Sequence, residues 1–268
     1  MRINIANVQP NFPQVFDEVV RLLTASLTAL GHDVSVIPAL GRGALNIVLG
    51  LTQDLNAKLP ADIDVILYQL EPLTESDPRY RPSHLDTLRQ AREVWEYNPR
   101  NLRFLQDRGF TNVKLVPIGY HESLATIPKL QEEPIDALFY GVPTPRREQL
   151  SADLVRRLGN VRFVAGFGPA RDRLIAQSRI VLNVHQFEDQ PFEAVRVSYL
   201  LNNARCVVSE EAGDNPYPGA IATAPYYELG ELCQRLTGDA QERDRIARQG
   251  AQIFRAMPMT EILKQALE

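Results

Sequence analysis

What most limits the fold of this chain is an alternation of apolar strand-length runs with segments of helical period, begun at the first residues and begun again near the middle. Ile3, Ile5 and Val8 lie in a short, largely apolar run that stops at Gln9-Pro10-Asn11-Phe12-Pro13. From Val15 to Leu30 the apolar residues Val15, Val19, Leu22, Leu23, Leu27 and Leu30 return at the spacing of one helix face. Gly31 closes that segment, as glycine does past a helix C-terminus. Val34-Ser35-Val36-Ile37 reads as the next strand. Strand, helix and strand joined this tightly imply a parallel pair with the helix as its crossover.

The alternation continues through Leu45 to Leu51 and Asp64 to Leu70, apolar runs suited to strands buried on both faces. Leu85 to Arg92 is predicted helical, Val94 to Tyr97 a strand, Leu102 to Arg108 a helix and Val113 to Val116 a strand. After a segment of weaker pattern the alternation restarts. Strands are expected at Ile135 to Tyr140, Val161 to Ala165, Ile180 to Val184 and Cys206 to Val208. The helices between them are expected at Arg146 to Leu158, Ala170 to Gln177 and Phe192 to Leu201. From Tyr226 onward the chain reads as helical, with breaks at Gly238 and Pro258. The expected architecture is α/β: two doubly wound parallel-sheet domains with a helical C-terminal tail. The boundaries read as a first domain over 1–118, a linker over 119–134, a second domain over 135–256 and a tail over 257–268.

Composition narrows the function classes. The 268 residues carry 33 acidic and 29 basic side chains, a formal charge of −4, which argues against bulk attraction to nucleic acid or anionic membrane. Two cysteines, Cys206 and Cys233, are too few for a disulfide framework or a structural zinc site. No run approaches the roughly 18 apolar residues of a membrane span, and the start is too short an apolar stretch for a signal peptide. The expectation is a cytoplasmic protein with no integral membrane segment, no nucleic-acid partner and no metal or cofactor. Asp62-Ile63-Asp64 has the form of a metal motif, but it precedes a strand instead of following one. The motifs of zinc and serine hydrolases, P-loop enzymes and standard dinucleotide sites are missing.

In open α/β sheets, ligands bind beyond the carboxyl ends of the strands. That rule selects a few loops. Tyr140 to Arg147 places Gly141 after a strand, with Arg146 and Arg147 opening the next helix, either as phosphate contacts or as solvated side chains. Ala165-Gly166-Phe167-Gly168-Pro169 offers two glycines, Gly166 and Gly168, for close backbone approach or for a plain tight turn. The polar loop after Val184 carries His185 and leads to Glu193 and Arg196, three apart on one helix face. These two are read either as an intrahelical ion pair or as contacts to sugar hydroxyls and phosphate. In the first half the corresponding loops hold Asn11, Glu71 and Asn98, while His121 lies in the linker. Glu71 is read either as a general base within reach of a hydroxyl or as a solvated loop carboxylate, and His121 either as facing a cleft between the domains or as exposed.

On these segments the chain resembles the GT-B-fold glycosyltransferases of the group 1 type, which use nucleotide-activated sugars. Phe163 to Pro169 looks like that group's glycine segment beside the nucleotide. Ile180 to His185, continued through Val207 to Glu210, resembles its donor-binding strand, loop and helix, and Val116 to Tyr120 its joining segment. The resemblance implies two Rossmann-like domains facing each other across a cleft, with the tail crossing back to the first. Donor contacts would come from Gly141, Arg146, Arg147, Gly166, Gly168, His185, Glu193 and Arg196, and the acceptor would bind the first domain. The resemblance would likewise make Glu71 or His121 the base and Asn11 and Asn98 acceptor contacts. One departure stands out: the family's two glutamates eight positions apart are absent, since Glu188 plus eight is Arg196 and Glu193 plus eight is Leu201. Stereochemistry is therefore left open. The implied function is sugar transfer to an unidentified acceptor; a non-catalytic nucleotide-sugar-binding subunit and a nucleotide-sugar epimerase are the alternatives.

Overall fold

Leu45–Leu49 and Val65–Gln69 are buried at every residue, which places both in the interior of a sheet covered on its two faces. The computed structural model describes residues 1–9, 12–50, 58–77 and 79–268. In it these segments are β3 (Leu45–Leu49) and β4 (Val65–Gln69) of a six-stranded sheet. The other strands are β1 (Arg2–Asn7), β2 (Asp33–Ile37), β5 (Glu93–Glu96) and β6 (Val113–Leu115). Their order is β2-β1-β3-β4-β5-β6 and every pair is parallel. Helix α1 (Asp17–Ala29) buries Val19, Leu22, Leu23 and Leu27, the stripe read from the sequence, and Gly31 follows it at φ +80°. Two further helices, α2 (Ser83–Leu88) and α3 (Pro99–Gln106), are offset from the expected spans. Asn98 caps α3 and Pro99 occupies its first turn, so the helix starts three residues before the apolar pattern at Leu102.

The second sheet is formed by β7 (Ile135–Tyr140), β8 (Val161–Val164), β9 (Ser178–Asn183), β10 (Val207–Glu210) and β11 (Ala222–Ala224). Its order is β11-β10-β9-β7-β8, again all parallel. The three-residue β11 is too short to show a period and was not anticipated from the sequence. Helices α4 (Pro145–Arg157), α5 (Gly168–Ala176), α6 (Ala194–Asn202), α7 (Leu229–Gly238) and α8 (Ala240–Arg255) complete this part, and α9 (Met259–Leu267) ends the chain. In each sheet the chain changes its direction of strand addition beside the first strand of the unit. β1 lies between β2 and β3, and β7 between β8 and β9. Those reversals open the crevices in which α/β sheets hold ligands.

Two compact units result: residues 1–123 with 258–268, and residues 124–257. The cut falls inside the segment expected as a linker. Leu124 and Ile127 are buried in the second unit, where Asn203 Oδ1 accepts from the N–H groups of Thr126 and Ile127, both at 2.9 Å. Arg205 Nη2 donates to the carbonyls of Ile127 and Pro128 at 3.0 and 2.6 Å. In the first unit α9 packs on α1, Met259 N–H donates to Tyr120 O at 2.8 Å, and Lys114 Nζ donates to Ala266 O at 3.0 Å.

Helix α8 crosses the backbone at Ala220 so closely that a Cβ on Gly250 would stand 2.3 Å from the Ala220 carbonyl oxygen. Helix propensity alone favours Gly250→Ala by roughly 0.5–1 kcal/mol. The contact reverses that sign, and we expect the variant to lose about 2 kcal/mol, visible as a drop of roughly 4–8 °C in Tm by calorimetry.

Candidate functional site

The reversal point of the second sheet brings the loop after β7 against the loop after β9. Thr144 caps α4 through its Oγ1, which accepts from Arg147 N–H at 3.4 Å, and Pro145 pre-sets the first turn. Arg146 and Arg147 therefore stand at the very start of α4. Arg147 is 2% exposed, a burial tolerated only because its fork is satisfied. Nε and Nη2 donate to Val184 O at 3.0 and 2.7 Å, Nη1 to Val142 O at 3.0 Å, and Nη2 to Glu193 Oε1 at 2.9 Å. This side chain ties the end of β9 to the loop after β7.

Glu193, at the N-cap of α6, is shared. Its Oε2 accepts from Arg196 Nη1 at 2.5 Å, and Arg196 Nη1 also donates to Asn183 Oδ1 at 2.9 Å. Burial alone would raise the Glu193 pKa, but Arg196 and Arg147 outweigh it and hold the carboxyl below its ordinary value. Both oxygens are thus engaged by arginines, so the ion-pair reading of Glu193 and Arg196 describes the structure. The Phe139 ring lies between the two guanidinium groups, 4.7 Å from Arg147 and 5.0 Å from Arg196. Gly141 has φ +151°, and a Cβ there would stand 2.9 Å from Arg196 Nη2 and 3.1 Å from Phe139. Glycine is needed because the guanidinium lies directly against the backbone. Arg196 Nε is buried with no hydrogen-bond partner among the described residues.

Arg146 makes a fork to Glu210, donating from Nη1 to Oε2 at 2.6 Å and from Nη2 to Oε1. It stacks 3.8 Å from the centre of the Tyr226 ring, whose hydroxyl donates to Arg146 O at 2.6 Å. His185 is 3% exposed, with Nδ1 3.8 Å from Glu210 Oε2 and neither ring nitrogen hydrogen-bonded among the described residues. Burial pushes its pKa down against the pull of Glu210 and Glu193, so the ring is neutral at physiological pH. Three arginines, Glu193 and Glu210 thus meet at one strand-end crevice. Gly166 and Gly168 follow β8, with open space where a Cβ would be, and Gly168 takes φ +63° at the start of α5. Among the described residues no group of three His, Cys, Asp or Glu side chains is placed to hold a metal ion, and no helix is long and apolar enough to cross a membrane.

In the first unit, Glu71 follows β4 with its side chain 19% exposed and Arg79 Nη1 3.7 Å away. Burial raises its pKa, Arg79 opposing and Asp77 adding to the rise. Asn98 is buried, and its Oδ1 accepts from Arg100 N–H at 2.7 Å as the cap of α3. His121 Nδ1 accepts from Ser123 N–H at 3.1 Å and lies 2.9 Å from Ser123 Oγ, in a local turn. Asn11 lies outside the described residues. Sequence reasoning passed over Asn183, Glu210, Tyr226 and Glu96. Glu210 ends a strand as Glu71 nearly does, so the strand-end rule could have found it. Glu96 ends β5 fully buried, and desolvation drives its pKa well up.

No family model matches the sequence, and no curated protein resembles it in sequence. Solved structures do match. An alpha-glucosyltransferase (AGT) in complex with UDP superposes with TM-score 0.64 at 8% identity, over 100% of this chain and 98% of that one. AviGT4, a glycosyltransferase involved in avilamycin A biosynthesis, matches with TM-score 0.56 at 16% identity, over 100% and 96%. The fold is GT-B. A third GT-B match is TarM, with TM-score 0.57 at 11% identity over 84% of this chain. There the chain spans about half of its counterpart, 54%. At these identities the likeness is one of fold.

Two measurements test the GT-B arginine cluster as built. Glu193→Ala strands Arg147 in the interior without its counter-charge, and we expect a loss of about 3–5 kcal/mol by urea denaturation. His185 contributes a pH slope. Its folded pKa lies below 6.5, so the unfolded chain takes up the proton first as pH falls through about 6.5. Stability should therefore drop between pH 7 and pH 5, by up to about 1.4 kcal/mol per unit, and the slope should flatten in His185→Gln.

Proposed function

We propose that this protein is a glycosyltransferase that moves a sugar from a nucleotide-activated donor to an acceptor hydroxyl. The observation that carries the reading is the approach of Arg196 to Gly141: a guanidinium held against a backbone with no side chain, at the reversal point of a parallel sheet. Such a place suits a phosphate group that needs both close backbone approach and positive charge. The second unit holds the donor, with Arg196 and Arg146 stabilising charge that builds on the leaving diphosphate. Arg147, wholly engaged in holding the two loops together, positions the others. The full-length GT-B matches, one of them with UDP bound, support the donor class.

The first unit takes the acceptor in this reading. Between Glu71 and His121, the geometry favours Glu71 as the group that accepts the acceptor's proton. It stands at a strand end with some solvent access, and burial makes it a stronger base than an exposed carboxylate. His121 is engaged by Ser123 in its own turn.

The test is calorimetric titration with UDP, GDP, dTDP, CDP and CMP, on the wild type and on Arg196→Ala. One diphosphate should bind, and its affinity should fall about tenfold or more in the variant, the scale of a lost charge-assisted contact. Glu71→Gln should leave that binding unchanged and lower kcat by about a hundredfold or more once an acceptor is in hand. Failure of every nucleotide to bind would overturn the reading.

A further inference from the structure

Within the second unit, between α4 and the edge strand β8, lies a cavity of about 330 Å³. That is the lower end of the size range of small-molecule sites. Phe139 and Phe163 line it, their rings 5.2 Å apart and inclined by 31°. Gly141 and Ala165 also line it, so the cavity is continuous with the glycine against which Arg196 rests. Val142, between the lining residues Gly141 and Pro143, is apolar and 60% exposed.

One polar lining group has no side-chain partner among the described residues. Glu148, in the first turn of α4, lines the cavity and makes no ion pair or side-chain hydrogen bond among the described residues. Ser151, three residues on and so on the same helix face, lines it too.

We propose that this cavity holds the base of the donor nucleotide and that Glu148 selects guanine. The proposal rests on the nucleotide-sugar reading above. A carboxylate is acceptor-only, with two oxygens side by side. Guanine presents two adjacent donors, its ring N1–H and its exocyclic amino group, which match that fork. Uracil and thymine present one N–H between two carbonyls, whose oxygens meet the carboxylate with like charge. Cytosine and adenine set an amino group beside a ring nitrogen that only accepts, so one carboxylate oxygen is left facing a lone pair. The aromatic lining serves any base; the carboxylate discriminates.

The experiment is calorimetric titration of the full chain with GDP, UDP, dTDP, CDP, ADP and inorganic pyrophosphate, on the wild type, Glu148→Gln and Ala152→Trp. GDP should bind about tenfold or more tighter than the others, the scale set by a mismatched donor–acceptor pair. Glu148→Gln, on an exposed helix position, should fold normally and erase the preference by lowering GDP affinity to the level of the other bases. Ala152→Trp fills the cavity and should weaken every nucleotide while leaving pyrophosphate unaffected. A wild type that prefers another base, or a Glu148→Gln variant that keeps its preference for GDP, overturns the guanine assignment alone. A wild type that binds no nucleotide overturns the nucleotide-sugar reading as well.

Discussion

One carboxylate organises the second unit. Glu193 receives a guanidinium on each oxygen, Arg147 on one and Arg196 on the other. Through Arg147 it reaches the backbone of Val142 and Val184, and through Arg196 the side chain of Asn183 and the backbone of Gly141. Two loops from neighbouring strands are thereby held in a single arrangement. A buried ion pair is seldom a strong source of net stability, since desolvation offsets much of the Coulomb gain. Its use here is to fix geometry: with Glu193 in place, Arg196 can stand against Gly141 without drifting into solvent.

The same logic separates the three arginines, which look alike in sequence. Arg147 has every nitrogen satisfied by carbonyls and a carboxylate, and is a structural brace. Arg146 is forked to Glu210 and stacked on Tyr226, so a ligand must compete with an acid for it. Arg196 retains a buried Nε without a partner among the described residues and a face turned to the glycine. A desolvated donor with no acceptor is costly, and its persistence is understandable where something else completes the contact.

Much of this was legible before any coordinates. The α1 stripe, the continuous apolar runs of β3 and β4 and the glycine after β7 each follow from a period or a backbone requirement that a single segment carries by itself. The strand-end rule also picked out the loops after β7 and β9, which meet because topology determines where helix N-termini converge. What could not be read was pairing across distance. That Arg146 faces Glu210, 64 residues away, depends on the order in which β10, β9 and β7 lie side by side. No local pattern encodes it. Asn98, a polar residue at a strand end, has its side-chain oxygen engaged in capping α3, a partner that no strand-end rule supplies.

The return of α9 to the first unit has a consequence for biosynthesis. Residues 124–257 lie in sequence between two segments of the other unit, 1–123 and 258–268. On the ribosome, residues 1–123 emerge before the inserted unit and residues 258–268 after it. The side of α1 that α9 covers stays open while the whole inserted unit is translated and folds. For that interval the face of α1 that α9 covers is without its partner, which makes the emergence of α9 the step that ends its exposure to chaperones and to other chains.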